Sequence, residues 1–251
     1  MPDAIDHIVI AVPDPDLAAR ELEAEIGVAV TGGGEHPGIG TYNRLAFLGD
    51  AYLELIAVRD VAAATRWPVG EASLRAMALG VGFATYALVD DDLETTVSRL
   101  RGQGSGIGQV TPGSRTRPDG ETVAWWTATF DELGPDRPPF LIRHDDRGAE
   151  WGTEALDARR AFVHPLGTPV RLTGLDLAAR DPSNLAATYA RELGLTFHPD
   201  ATGQGATIGP HRVALRPVVA VPAAAAMVRL NGGTEPVVVD LFGIRFDLTP
   251  P

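Results

Sequence analysis

Apolar and polar positions follow two rhythms along this chain, and the two succeed each other in an order that recurs three times. The first copy opens with Ile5 to Val12, a mostly apolar run of strand length. After Asp14-Pro15, Ala18, Leu22 and Ile26 return on one helical face. Asp14 suits an N-cap, Pro15 the first helical position and Gly27 a left-handed C-cap, so a helix is predicted between them. The second copy runs from Phe83 to Val89, is capped by Asp90 or Asp91, and carries Leu93, Thr96, Val97 and Leu100 on one stripe before Gly102. In the third, Leu172 to Ala179 precede Asp181-Pro182, with Leu185, Tyr189 and Leu193 in one stripe before Gly194.

Each helix is followed by strand patterns. The first is followed by a short strand near Val28 to Val30, a loop, then Tyr42 to Leu48 and Ala51 to Ala57 around a Gly49-Asp50 turn. The second leads to Thr122–Phe130 and Phe140–His144, and the third to Gly205–Ile208 and Arg212–Arg216 around Gly209-Pro210. Each unit therefore reads βαβββ, and such units bury their faces against one another. The division is 1–57 for the first unit, 58–80 for a linker with some helix, and 81–145 for a second unit paired with the first. A linker over 146–169 and a third unit over 170–251 with a C-terminal hairpin complete it. The fold class is α+β: a cupped mixed sheet around a cleft, with helices on its convex side.

Composition narrows the chemistry. The chain has 251 residues, a net charge of −12 and no cysteine, which removes disulfides and thiolate sites. All 21 basic residues are arginine, so lysine Schiff-base chemistry is excluded. Strong acidity argues against nucleic acid as a partner. No apolar run reaches the roughly 20 residues of a membrane span, and the N-terminus lacks a signal pattern, so a cytoplasmic protein is expected.

Two polar residues break the apolar strands. His7 stands in the first strand and Glu54 in Tyr52-Leu53-Glu54-Leu55-Ile56. A carboxylate there carries a desolvation penalty unless it is paired, metal-bound or facing a wet cleft. An imidazole and a carboxylate on two strands of one unit suggest a shared pocket. Glu54 can orient His7 as a general base, or pair with an arginine such as Arg44 or Arg143. The Gly32–Gly40 stretch lacks the Gly-Lys-Ser/Thr ending of a phosphate loop and leads into no helix. It reads as a flexible loop over the pocket, with His36 and Asn43 as polar contacts. Of adjacent Trp125 and Trp126, one faces the cleft and one the helical layer, or both simply pack; a cleft Trp125 favours an apolar or aromatic ligand.

These segments resemble the glyoxalase-like subgroup of the vicinal oxygen chelate superfamily. The resemblance rests on Asp6-His7-Ile8-Val9, the stretch from Gly32 to Asn43, Tyr52 to Ile56, and Arg117-Pro118-Asp119-Gly120 with Trp125-Trp126. Pro139 to Ile142 and His164-Pro165 extend it over about the first 180 residues. It implies the repeated modules of the glyoxalase, bleomycin-resistance and dihydroxybiphenyl-dioxygenase type. It also implies a His and a Glu from each paired module on one divalent ion acting as a Lewis acid. His7 and Glu54 match one half of that pattern. The alignment puts Phe83 and Ile142, and in the third unit Gly174 and Ala214, where the other half would be. His144, on the face of Phe140 and Ile142, or His36 would complete a set on His7 and Glu54 for Zn, Mn, Ni or Fe(II). The expectation is thus a small-molecule enzyme of lyase, isomerase or dioxygenase style, with His7 and Glu54 catalytic and His36, Asn43, Tyr52 and Trp125 contacting substrate. The cofactor is one divalent metal on His7, Glu54 and His144, or none. The alternative is a metal-free protein that sequesters an apolar small molecule, and a homodimer built by pairing modules between chains stays open.

Overall fold

In a computed structural model, which describes residues 2–117, 119–147, 150–218 and 225–251, eight strands close into a barrel. Their order around it is β1-β4-β3-β2-β6-β7-β8-β5. The strands are β1 (Ala4–Ala11), β2 (Gly32–His36), β3 (Thr41–Leu48), β4 (Ala51–Val58), β5 (Phe83–Val89), β6 (Thr111–Thr116), β7 (Thr122–Ala128) and β8 (Phe140–His144). Helix α1 (Pro15–Ile26) begins with Asp14 accepting from the amides of Asp16 and Leu17, and ends at Gly27 with φ 68°. It buries Ala18, Leu22 and Ile26, the apolar stripe of the sequence. Helices α2 (Val61–Ala64) and α3 (Pro68–Leu79) link the halves, and α4 (Leu93–Gly102) follows β5. The N-cap of α4 is Asp92, one residue after the expected acids.

Of the glycine-rich stretch, Gly32–His36 is a strand and only Pro37–Gly40 turns, and Val28–Val30 is not a strand. Strand β2 meets β6 at the barrel seam through the single pair Glu35↔Thr116. A Cβ on Gly34 would collide with the Thr116 carbonyl, and one on Gly33 with the Asn43 carbonyl. Closing the seam therefore requires backbone without side chains. Strand β6 was not expected, because Thr-Pro-Gly-Ser reads as a turn; Gly113 there leaves room for the Trp125 indole.

The remaining strands, β9 (Arg171–Ala179), β10 (His198–Asp200), β11 (Gly203–Ile208), β12 (His211–Pro217), β13 (Ala226–Asn231), β14 (Val237–Leu241) and β15 (Ile244–Thr249), form a second sheet. Its order is β10-β11-β12-β9-β13-β15-β14. Helix α5 (Thr153–Ala161) precedes β9, and α6 (Pro182–Leu193) follows it. The pairings repeat those of the barrel: β9 lies parallel to β12 and antiparallel to β13, as β1 lies parallel to β4 and antiparallel to β5. The parallel β13–β15 pair corresponds to β5–β8, and the antiparallel β14–β15 pair to β7–β8. The C-terminal hairpin is thus part of a fourth, shortened unit. Among the described residues this unit has no helix and no counterpart of β6, so its sheet stays open.

One continuous apolar core joins barrel and sheet. Tyr86 of β5 and Tyr189 of α6, both fully buried, meet through their hydroxyls at 3.2 Å across that junction. No helix among the described residues is long and apolar enough to cross a membrane.

Candidate functional site

The barrel encloses a cavity of about 120 Å³. Strand alternation sends His7, Asn43, Tyr52, Glu54, Trp125 and Ile142 into it, and His36 and His144 reach it as well. The start of α3 bounds one end, and Glu150 with Trp151, just before α5, bounds the other. For scale, an apolar cavity of about 150 Å³ accepts a benzene ring.

A bulge in β1 assembles the polar centre. Ile5 pairs with Leu88 and His7 with Ala87, leaving Asp6 as the extra residue. The bulge breaks strict alternation, so neighbouring Asp6 and His7 meet side by side. His7 Nδ1–H donates to Asp6 Oδ1 at 2.6 Å, and His144 Nε2–H donates to Asp6 Oδ2 at 2.9 Å. Burial alone would raise the Asp6 carboxyl, but the two imidazoles outweigh it and hold it well below the usual carboxylate range. Because an ionised carboxylate only accepts, Asp6 fixes the His7 tautomer and turns Nε2 toward Glu54 Oε2, 3.6 Å away. Tyr52 stacks on the ring with centroids 4.5 Å apart, and Phe140 meets it edge-on at 5.4 Å.

Glu54 is held from its other side. Asn43 Nδ2 donates to Glu54 Oε1 at 2.6 Å and approaches His36 Nε2 at 3.3 Å, while its Oδ1 accepts from the Gly34 amide at 2.9 Å. His36 Nδ1–H then donates to Thr41 Oγ1 at 2.6 Å. Burial, partly offset by Glu54 and reinforced by Arg115, pushes the His36 pKa down, so the ring is neutral and its Nε2 accepts. His36 also meets Trp125 edge-on at 5.8 Å. Trp126 lies outside the cavity lining under the Arg143 guanidinium, which separates the two tryptophans.

The structure brings His7, Glu54, Asn43, His36, Tyr52 and Trp125 into one cavity. It does not bring His144 to the other side of Glu54. His144 Nε2 is held by Asp6, on the far side of the His7 ring, and the His144 ring stacks on Trp151 at 3.5 Å. A separation of 3.6 Å between His7 Nε2 and Glu54 Oε2 would suit two ligands of one ion. His36 Nε2, the other candidate, faces Asn43 Nδ2 and stays 4.0 Å from Glu54 Oε1, and no group of three His, Cys, Asp or Glu among the described residues could hold a metal ion. Protein zinc sites take three or four ligands, so this donor set does not fit one. The partner half is also empty by register: matching Tyr52 to Phe140 places Ala87, not Phe83, opposite His7, and Ile142 opposite Glu54. Matching the units through their helices misplaces β5 by four residues. Neither Arg44, bound to Asp16, nor Arg143, bound to Glu94, reaches Glu54.

Three residues of this site escaped the sequence reading. Asp6 hides behind strand alternation, although two adjacent polar residues in an apolar strand are a bulge signal. Arg115 sits on the unexpected β6, and Glu150 in an irregular linker. They form a buried ion pair in the cavity wall. Of the Arg117–Gly120 segment, Pro118 lies outside the described residues.

The glyoxalase-like domain family matches residues 5–194, and the chain belongs to it. No curated protein matches the sequence. Among solved structures, a hypothetical protein from Staphylococcus aureus superposes with TM-score 0.78 at 14% identity, covering 98% of this chain and 99% of that one. A mutant of 4-hydroxymandelate synthase from Streptomyces coelicolor gives TM-score 0.52 at 13% identity, covering 92% of this chain and 72% of that one. At such identities the likeness is one of fold, that of the vicinal oxygen chelate proteins.

Proposed function

We propose that the barrel cavity is a metal-independent acid–base site for a small molecule, with Glu54 and His7 as its proton-transferring pair. The observation that carries this reading is the chain Asp6–His7–Glu54. A buried carboxylate holds His7 Nδ1, and Nε2 of the same ring lies 3.6 Å from a second carboxylate inside a largely apolar cavity. A site that only enclosed an apolar molecule would gain nothing from burying these groups, each of which carries a desolvation penalty.

The arrangement supports a proton shift within one ligand. With the pair in its ion-paired form, Glu54 Oε2 takes a proton from the ligand while His7 Nε2 gives one to a neighbouring ligand atom. Glu54 is then neutral, and His7 keeps only its Nδ1 proton on Asp6. Transfer of the Glu54 proton back to His7 Nε2 resets the site, and the ligand leaves as its isomer. Asn43 orients the carboxylate, Tyr52 and Phe140 hold the imidazole plane, and Trp125 supplies an apolar wall for a small ring or branched chain.

The test uses small carbonyl compounds with an acidic C–H, namely acetylacetone, phenylpyruvate and 2-hydroxyacetophenone, in deuterated water. Exchange above background is expected for at least one, falling by about 10²-fold or more in Glu54→Gln and His7→Ala. Exchange that both variants leave intact removes the proposal. Compounds that bind without exchange point to a sequestering protein of the bleomycin-resistance type.

A further inference from the structure

Glu150 is a partition between two spaces. It lines the barrel cavity and also a groove of about 700 Å³ on the outside, where Arg44, Arg117, Arg159 and Phe47 stand over the Gly32-Gly33 backbone. Next to it, Trp151 stacks on His144 and lies 5.7 Å from Tyr52, so this short segment closes that end of the barrel.

The charges around the partition do not balance. Arg115 is buried and Arg159 half-buried, with side chains 4% and 9% exposed, and both face the single Glu150 carboxylate. Arg115 binds that carboxylate directly and gives its other arm to the Gly33 carbonyl. Arg159 bonds the Glu150 backbone carbonyl, lies 3.9 Å from the carboxylate, and stacks its guanidinium on Phe47 and Trp151. Arg117 adds a third cation 3.7 Å from Glu150, although Asp119 and Glu121 already answer it. The other carboxylates near the cavity are engaged elsewhere, Asp6 by His7 and His144 and Glu54 by Asn43. Two largely desolvated guanidiniums thus share one carboxylate, an arrangement that favours a further anion.

We propose that Arg115 and Arg159 form the subsite for an anionic group on the ligand, and that Glu150 is an internal stand-in which the ligand's carboxylate or phosphate displaces. The proposal rests on the acid–base reading of the cavity and names its substrate class, a small apolar or aromatic anion. The aromatic wall supports that orientation. Tyr52 stacks on His7 at one end and meets Trp151 beside Glu150 at the other, so one ligand lying along it places its anion on the arginines and its reacting atoms at His7 and Glu54. Displacing Glu150 also joins the cavity to the groove and gives the ligand its way in.

Calorimetric titration of the full chain with benzoate, phenyl phosphate and neutral benzyl alcohol tests this. The wild type should bind at least one of the two anions ten or more times more tightly than the alcohol, and their ranking separates a carboxylate site from a phosphate site. Glu150→Gln, which keeps the shape and removes the internal competitor, should tighten the preferred anion about tenfold and leave the alcohol unchanged. Arg115→Gln and Arg159→Gln should each weaken the anion about tenfold. Arg159→Gln provides the answer if the more buried Arg115 variant fails to fold. Equal binding of anion and alcohol by the wild type, or a Glu150→Gln effect shared by both, overturns the proposal. The two readings fail separately: anion binding that follows Glu150 and Arg159 while no compound exchanges leaves the subsite standing without the acid–base reaction. Exchange that needs His7 and Glu54 but ignores ligand charge and Glu150→Gln leaves the reaction without the subsite.

Discussion

Replacing Asp6 with asparagine isolates the group on which the site depends. The side chain keeps its shape, but one acceptor oxygen becomes an NH₂, while His7 Nδ1 at 2.6 Å and His144 Nε2 at 2.9 Å both point N–H groups at this position. One imidazole must therefore change tautomer or lose its partner. Hydrogen bonds to a charged group contribute about 1.5–3 kcal/mol each, and neutral ones about 1. Exchanging two charged bonds for one or two neutral ones lowers stability by about 1–5 kcal/mol, or about 2–20 °C in Tm for a chain of this size. Urea unfolding measures the difference directly. Its pH dependence follows from the depressed Asp6 carboxyl. A folded pKa below the unfolded value of about 3.9 gives stability that is fully present above that value and lost as pH falls through the folded pKa. The gap between wild type and Asp6→Asn should be widest at neutral pH and narrow below about pH 4, where the unfolded chain's carboxyl takes up a proton that the folded one still refuses. A variant within about 0.5 kcal/mol of the wild type at pH 7, with the same difference at pH 3, refutes the argument that Asp6 is an ionised bridge between two imidazoles. Nitrogen NMR of His7 supplies the second readout, since the Nδ1–H form should be fixed in the wild type and mixed in the variant.

Further predictions concern other parts of the molecule. Gly34→Ala places a methyl group against the Thr116 carbonyl at the barrel seam and should cost about 1–3 kcal/mol in urea unfolding; an unchanged midpoint would mean the seam is looser than described. His211 accepts the Ile5 amide proton on Nδ1 at 3.0 Å, and burial, only partly offset by Asp50, lowers its pKa to about 4. Its contribution is full above about pH 6.5 and declines as pH falls toward 4. His211→Gln, which keeps an acceptor, should flatten stability over that window, and an unchanged pH profile contradicts the assignment. Protein purified without chelator should carry no stoichiometric metal and take up none from added Zn, Mn, Ni or Fe(II). One equivalent bound in the wild type and lost in both His7→Ala and Glu54→Ala would show that a third donor converges after all.

The sequence by itself determined the capped helices α1, α4 and α6 and most strands, while α5 fell in what reads as a linker. Those signals are local: Asp14, Pro15 and Gly27 end a helix by their own backbone chemistry, and Ala18, Leu22 and Ile26 reveal its buried face through period alone. His7 and Glu54 were visible for the same reason, as polar side chains in runs that burial keeps apolar. What depended on distant backbone was not legible. The glycines of β2 look like a loop until Thr116 arrives across the seam, and the β6 residues look like a turn until β7 pairs with them. The fourth unit has no helix to announce it and shows only in strand order. Asp6 became part of the site through a bulge, a register shift against β5 that alternation along β1 does not reveal. Arg115 and Glu150 are ordinary surface-type residues in the sequence, 35 positions apart. Only closure of the barrel buried them together, and burial is what turns two common charges into a candidate binding site.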